Sequence, residues 1–252
     1  MSESLVTALI LLLVGFVGGT INTIAGGGSL LMLPVLIFLG LPPTVANGTN
    51  RVAILIQNMG AASSFHRRDL IPVHWLKFAI LPALLGAGLG TFGAVRAGDL
   101  AFQRVLVVVM VLAAAATFWR PELPGPDHDA PVPTGRRAWV FRIIFFGVGA
   151  YGGFIQAGLG FVTLAVTSAV GLDLIKGNAF KLALVLSFTP LALAVFAMSG
   201  QVNWVMGFSL AGGTFLGGLL GVHLQVLTGQ KWVRAIVTVM IVLFAVRLLF
   251  FE

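Results

Sequence analysis

The chain reads as long apolar runs separated by short polar breaks. Runs of about membrane-spanning length lie near 4–24, 44–65, 75–95 and 101–119, and again near 138–157, 176–199, 204–224 and 230–250. A spanning helix needs ~20 mostly apolar residues, so these runs are predicted as transmembrane helices. Two shorter runs, 29–40 and 160–171, each follow the first long run of a set. Twelve residues rise only ~18 Å as a helix, so each short run either crosses at a thin point or enters partway. Gly26, Gly27 and Gly28 interrupt the chain before the first short run; Gly40, Pro42 and Pro43 close it. One hydrophilic stretch, RPELPGPDHDAPVPTGRR at 120–137, carries prolines and mixed charge and reads as a linker. It divides the chain into a first unit, 1–119, and a second, 138–252.

Composition sets the class. The 252 residues are 58% hydrophobic and 9% charged, against about 25% charged in a soluble domain. The chain is therefore expected to be an integral membrane protein, and its 32 glycines suit close helix packing. With no cysteine, disulfides and thiolate metal sites are excluded. The net charge of +7 does not point to nucleic acid, because the basic residues sit in short loops between apolar runs. The N-terminal run lacks a basic leader and continues into further apolar runs, so it reads as a retained helix rather than a signal peptide.

The two units share an order of residues. Gly18-Gly19 corresponds to Gly152-Gly153, Arg51 to Lys181, Trp75 to Trp204, Gly86 and Gly90 to Gly217 and Gly221, and Arg104 to Arg234, at a spacing near 130. An ordered series of this kind indicates duplication. If the short runs count as crossings, each unit has five and the second is inverted; if they do not, the units are parallel. Charge favours inversion. With the N-terminus outside, Arg67, Arg68, Lys77, Arg120, Arg136, Arg137, Arg142, Lys176, Lys231 and Arg234 share one side, opposite Arg96, Arg104 and Arg247. The expected fold is an all-α polytopic membrane protein of two inverted repeats, each of four long helices and one short or broken segment.

Arg51 and Lys181 lie inside apolar runs, where a cation is expensive, ~2.5–3.5 kcal/mol at a helix centre. The eight acidic residues all lie in loops, near run ends or at termini, so an anionic ligand is the expected counter-charge. Snorkelling to the headgroups is the plainer alternative for either residue alone. Asn47, Thr49 and Asn50 precede Arg51 and offer amide and hydroxyl donors at a helix start. Gly26, Gly27 and Gly28 allow close backbone approach to a ligand, and Asn22, Gln156 and Asn178 complete the candidate substrate-binding set. For Gly15, Gly18, Gly19, Gly86, Gly88 and Gly90, helix packing is the expected role. No metal-ligand spacing and no nucleophile–base pair appears on facing runs, which argues against an enzyme.

The first motif, GGTINTIAGGGSLLMLPVLIFLGLPPTVANGTNR, resembles the first-repeat signature of the TauE/SafE sulfite-exporter family: a Gly-Gly-Gly-Ser break at 26–29, Pro34 in the short segment, and Gly48-Thr49-Asn50-Arg51. GGFIQAGLGF at 152–161 and GNAFK at 177–181 resemble its second repeat. Asn22 stands where the family often has aspartate, and Ala179-Phe180 replaces a more polar pair. The likeness covers nearly the whole chain outside 120–137. It implies a bacterial inner-membrane secondary transporter that exports sulfite, an organosulfonate or a related sulfur-containing anion by alternating access. An anion channel, or a carrier for another small anion such as a carboxylate, is the competing expectation. No cofactor or metal is implied. The implied partners are the anion and the lipid bilayer, and a homo-oligomer is compatible with the sequence.

Overall fold

A computed structural model describes residues 3–118 and 131–228; the rest of the expected linker and the final run at 230–250 lie outside the described residues. The described residues form nine helices: α1 (Glu3–Ala25), α2 (Ser29–Phe38), α3 (Pro43–His66), α4 (Val73–Arg96), α5 (Asp99–Phe118), α6 (Gly135–Phe154), α7 (Leu159–Ala169), α8 (Leu174–Met198) and α9 (Trp204–Thr228). The protein is an all-helical polytopic membrane protein, in which α1, α4, α8 and α9 are long and apolar enough to span a bilayer. Three boundaries differ from expectation by three residues or more: α9 runs on to Thr228, past the expected 224, and α6 is shifted at both ends. α6 begins at Gly135, inside the stretch read as linker, and ends at Phe154, short of the expected 157. There the backbone turns left-handed at Gln156, φ 60°, and again at Gly158, φ 69°.

The short segments stop in the same way. After α2, Gly40 takes φ +93° and the Leu41 amide donates to the Leu36 carbonyl at 3.2 Å. After α7, Gly171 takes φ +89° and the Leu172 amide donates to the Thr167 carbonyl at 3.0 Å. Both are Schellman closures, which need a left-handed residue and so favour glycine. The next helix of each half then opens on an acidic cap. The Asp99 carboxylate accepts from the Thr44 amide and hydroxyl at 3.0 and 2.7 Å, and Asp173 accepts from the Ile175 and Lys176 amides at 2.8 and 2.9 Å. A carboxylate at a helix N-terminus satisfies otherwise unpaired amides and the positive end of the dipole.

Glycine contacts set the helix directions. Gly15 meets the backbone of Leu210 and Thr214, Gly213 meets Leu12 and Phe16, and Gly217 meets Phe16 and Thr20, so α1 and α9 run parallel. Gly149 meets Ala83, Gly153 meets Ala87, and Gly90 meets Ala150, so α4 and α6 run parallel. α3 runs parallel to α9: Gly207 packs on Thr49 and Val52, and Gly218 on Gln57. It runs antiparallel to α8: Gly48 and Arg51 meet Phe196, while Ala61, Ala62 and Phe65 cluster with Ala179 and Leu182. Thus α1, α3 and α9 point one way and α4, α6 and α8 the other. The packing partners are unchanged when α1–α4 exchange with α6–α9: α1 with α9 becomes α6 with α4, and α3 with α9 becomes α8 with α4. Since α1 and α3 are parallel, the break and α2 must carry the chain back between them.

In a bilayer, helices associate through close packing rather than the hydrophobic effect. A Cβ built on Gly90 would lie 1.9 Å from the Ala150 carbonyl oxygen, and one on Gly86 2.0 Å from that of Phe146. Gly88 differs from the packing role expected of it: its Cβ would meet only a Leu191 methyl, at 3.9 Å. α3, with 24 residues, tolerates its polar content because it is wrapped by other helices; Asn47, Thr49, Asn50, Arg51, Gln57 and Asn58 are all buried. Gly90→Ala is expected to force α4 from α6 and destabilise by about 1–3 kcal/mol, whereas Gly88→Ala should be neutral within ~0.5 kcal/mol. Thermal unfolding in detergent checks this, and an equal response of the two variants would contradict it.

Candidate functional site

Two helices end at buried residues inside the protein: α1 at Ala25 and α6 near Phe154. The last four carbonyls of a helix have no intrahelical donor and carry the negative end of its dipole. No water in the hydrocarbon core replaces the missing donors. The opposite half supplies them. Arg51 of α3 donates through Nη1 to the Gly152 carbonyl at 3.1 Å and the Gln156 amide oxygen at 3.4 Å. Through Nη2 it donates to the carbonyls of Gly153 at 2.6 Å and Phe154 at 3.5 Å. Asn47, one turn earlier, donates to the Phe154 carbonyl at 2.8 Å. Lys181 of α8 mirrors this on α1, donating to the carbonyls of Asn22 at 2.8 Å and Thr23 at 3.2 Å and to Asn178 Oδ1 at 2.6 Å. Asn178 donates to the Ile24 carbonyl at 3.0 Å. Each half thus caps the broken helix of the other with a cation and an asparagine.

This differs from the expected arrangement in four ways. Arg51 and Lys181 are buried, 0% and 3% exposed, yet they are not unpartnered, because helix carbonyls stand where an anion was expected. The free amides expected just ahead of Arg51 are inside a helix that already began at Pro43, and its start is capped by Asp99. Gly28 serves packing rather than ligand approach: its Cβ would lie 2.0 Å from the Gly18 carbonyl oxygen. Thr49 is also occupied elsewhere, accepting from the Asn203 amide at 2.9 Å.

A hollow lies between the two breaks, lined by Asn22, Gly26, Ser29, Ile54, Asn58, Gln156, Leu159, Gly160, Lys181, Leu182 and Val185. It admits the centre of a water molecule over ≈ 20 Å³, room for one or two waters. Of the sequence-derived candidates it gathers Asn22, Gly26, Gln156 and Lys181; Arg51, Asn47, Thr49, Asn50, Asn178, Gly27 and Gly28 do not line it. Arg51 stands one residue behind, through Gln156, with its guanidinium 4.7 Å from the centre of the Phe196 ring. Ser29 opens α2, and Leu159 and Gly160 open α7, so the first turns of both short helices meet the hollow. The Leu30, Leu31, Leu159 and Phe161 amides of these turns already donate to backbone carbonyls, so the Ser29 and Gly160 amides, with the positive dipole ends, are those left for an anion. At the floor Gly26 and Gly160 touch: a Cβ on Gly26 would lie 2.3 Å from Gly160 Cα.

Asn58 was missed in the sequence. It is 1% exposed, and neither its Nδ2 nor its Oδ1 has a partner among the described residues. The signal was available: Arg51, Ile54 and Asn58 recur at the spacing of one helix face, and Gln57-Asn58 interrupts an apolar run. Gln57 faces α1, donating to the Gly19 carbonyl at 3.3 Å and Thr23 Oγ1 at 3.1 Å while accepting from Asn22 at 3.2 Å.

The model of the sulfite exporter TauE/SafE family matches residues 11–248. The chain belongs to the sulfite exporter TauE/SafE family. Among curated TauE/SafE-like relatives, a probable membrane transporter protein of Haemophilus influenzae is 30% identical over 241 residues, covering 92% of this chain and 90% of its own. The probable membrane transporter protein YfcA of Escherichia coli K12 is 28% identical, covering 96% and 89%. The probable membrane transporter protein ORF9 of a Sinorhizobium species is 28% identical, covering 95% and 91%. No solved structure matches the chain. This TauE/SafE chain is accordingly a multi-pass membrane protein of a bacterial transporter family.

Arg51→Met should destabilise this TauE/SafE protein by about 1–3 kcal/mol, the cost of leaving buried carbonyls without donors. Thr91, which donates to the Gly153 carbonyl at 3.1 Å, limits the loss. Arg51→Lys should fall between. The measurement is thermal unfolding in detergent without added anion; an unchanged midpoint in Arg51→Met would remove the capping role.

Proposed function

We propose that the protein is a secondary transporter for a small sulfur-containing oxyanion, bound in the hollow between the two breaks and released to either side by alternating access. The observation that carries this reading is the convergence of two helix N-termini, the Lys181 charge and the unpartnered Asn58 amide on one buried space. Lys181 supplies the field, since its three N–H groups already serve Asn22, Thr23 and Asn178. Direct donors come from Asn58, the Ser29 hydroxyl and the amides of Ser29 and Gly160 at the starts of α2 and α7. No carboxylate lines the hollow, and the anion undergoes no chemical change.

In this reading the two units are inverted repeats, 1–119 and 138–252, and the opposed directions of α1 and α6, α3 and α8, and α4 and α9 support it. Charge orients the molecule. Arg67, Arg68, Lys77, Arg136, Arg137, Arg142 and Lys176 gather at the end where α3 finishes and α4, α6 and α8 start, and Arg96 and Arg104 lie at the other. The basic end is then cytoplasmic, and the hollow, about two turns from that end along α3 and α8, lies in the inner half. An oxyanion of four or more heavy atoms fits only when Gly26 and Gly160 part, and exchanging the roles of the repeats would move the opening toward Arg51. Export follows from the potential, which favours expelling a negative charge by ~2.3 kcal/mol per 100 mV.

Sulfite at a hundred times its dissociation constant should stabilise the purified protein by about 2.7 kcal/mol, read as a raised melting temperature, and Lys181→Gln should abolish that increment. Sulfate, thiosulfate, sulfonates and carboxylates screened alongside rank the substrate class, and saturable flux in liposomes separates a carrier from a channel. Absence of stabilisation by every anion, or an undiminished increment in Lys181→Gln, would overturn the reading.

A further inference from the structure

We infer that Asn58 selects the protonation state of the substrate: the hollow takes a monoanion that still carries one O–H, and the transported anion therefore brings its own proton. This rests on the anion-site reading above and adds the species bound. The argument starts from what the hollow offers. Its donors are the Asn58 Nδ2 group, the Ser29 hydroxyl and the Ser29 and Gly160 amides, with the Lys181 charge alongside. Its side-chain acceptors are Asn22 Oδ1, Ser29 Oγ, Asn58 Oδ1 and Gln156 Oε1. Gln156 Oε1 already accepts from Arg51, and Ser29 Oγ accepts from Asn50 at 3.0 Å.

Asn58, on the hollow, carries the one of these that is both fully buried and without a donor among the described residues, its Oδ1. Because neither amide atom is engaged, turning the group over leaves the same result, one donor beside one acceptor. A fully ionised oxyanion presents only acceptors, so it would satisfy Nδ2 and leave Oδ1 facing like charge. An anion with a residual O–H satisfies both, accepting from Nδ2 and donating to Oδ1. A site built to bond a hydroxyl discriminates strongly against ligands lacking it, since the site's own buried group is then left unpaired.

The surroundings fit. The charged or titratable groups about the hollow are Lys181, which lines it, and Arg51, which reaches it through Gln156; Tyr151, on α6, is engaged with the Ala157 carbonyl across the α6 break. α1, the break after it, α2 and α7 contribute Asn22, Gly26, Ser29, Leu159 and Gly160, none of which titrates. Asp99 and Asp173 are engaged in helix caps. No carboxylate lines the hollow, and the Lys181 ammonium spends its N–H groups on Asn22, Thr23 and Asn178, so the proton travels as the O–H of the anion. No bond is made or broken in the ligand.

The test uses the full chain in detergent and two probes, sulfite and methanesulfonate. Methanesulfonate keeps one negative charge at every pH used and has no O–H, so it reports any titration of Lys181 or its neighbours. Above the pH at which hydrogensulfite ionises, the apparent dissociation constant for sulfite should rise about tenfold per pH unit, in step with the falling competent fraction, while that for methanesulfonate stays level. Asn58→Leu strips no protein hydrogen bond, so it should fold; it should weaken sulfite binding about tenfold, ~1.4 kcal/mol, and erase the preference over methanesulfonate. Asn58→Ser, which restores one hydroxyl, should recover part of the preference. Sulfite affinity that is level or improves as pH rises, or an unchanged sulfite-to-methanesulfonate ratio in Asn58→Leu, overturns the inference while leaving the anion site standing. Failure of the unaltered protein to bind either anion overturns both.

Discussion

A helix that stops inside a membrane leaves its last carbonyls with nothing to accept from, and the rest of this structure follows from how that need is met. α1 and α6 both end inside the protein, and most of the donors to their last carbonyls come from the opposite half. Arg51 with Asn47, and Lys181 with Asn178, reach across to the other half. The side chains are thereby held in the interior by dipoles and oriented carbonyls rather than by carboxylates. A full ion pair would have cancelled the field at the hollow. Carbonyl ligation anchors the side chains and leaves an excess of positive potential where the two short helices point.

The second constraint is closeness. Glycine and alanine bring α1 onto α9 and α4 onto α6 at backbone contact. These pairs join one helix from each half, so the halves interlock rather than sit side by side. α3 and α8 cross antiparallel between them and carry the polar residues that no lipid-facing helix could hold. The breaks meet at Gly26 and Gly160, where the absence of side chains lets two chain reversals touch. The corresponding left-handed positions are Gly26 and Gln156. A glutamine in that conformation is uncommon, and here it spends its side chain on Arg51 and on Thr189, at 3.2 Å.

Much of this was legible in the chain itself. Apolar runs and glycine breaks located the described helices to within about four residues, because membrane length and the need for closed backbone hydrogen bonding leave few alternatives. The Arg51–Lys181 correspondence identified the two key side chains. Their partners were not legible: carbonyl acceptors belong to every residue and leave no trace in side-chain type, so a cation satisfied by backbone looks identical to one awaiting a ligand. The role of the α3 start was misread for a related reason, since its cap, Asp99, lies fifty-five positions away in sequence. Asn58 was passed over because it lacks charge, although two consecutive amides in an apolar run are costly to bury without purpose.

The reciprocal capping also bears on how the polypeptide is made. Synthesis proceeds from the N-terminus, so α1 enters the bilayer long before α8, and the Asn22 and Thr23 carbonyls wait for an ammonium 159 and 158 positions downstream. Until then the nascent first half holds an exposed helix end and its own uncovered guanidinium. The early chain must remain in a wet or chaperoned setting, and final insertion of either half becomes a joint event in which each completes the other.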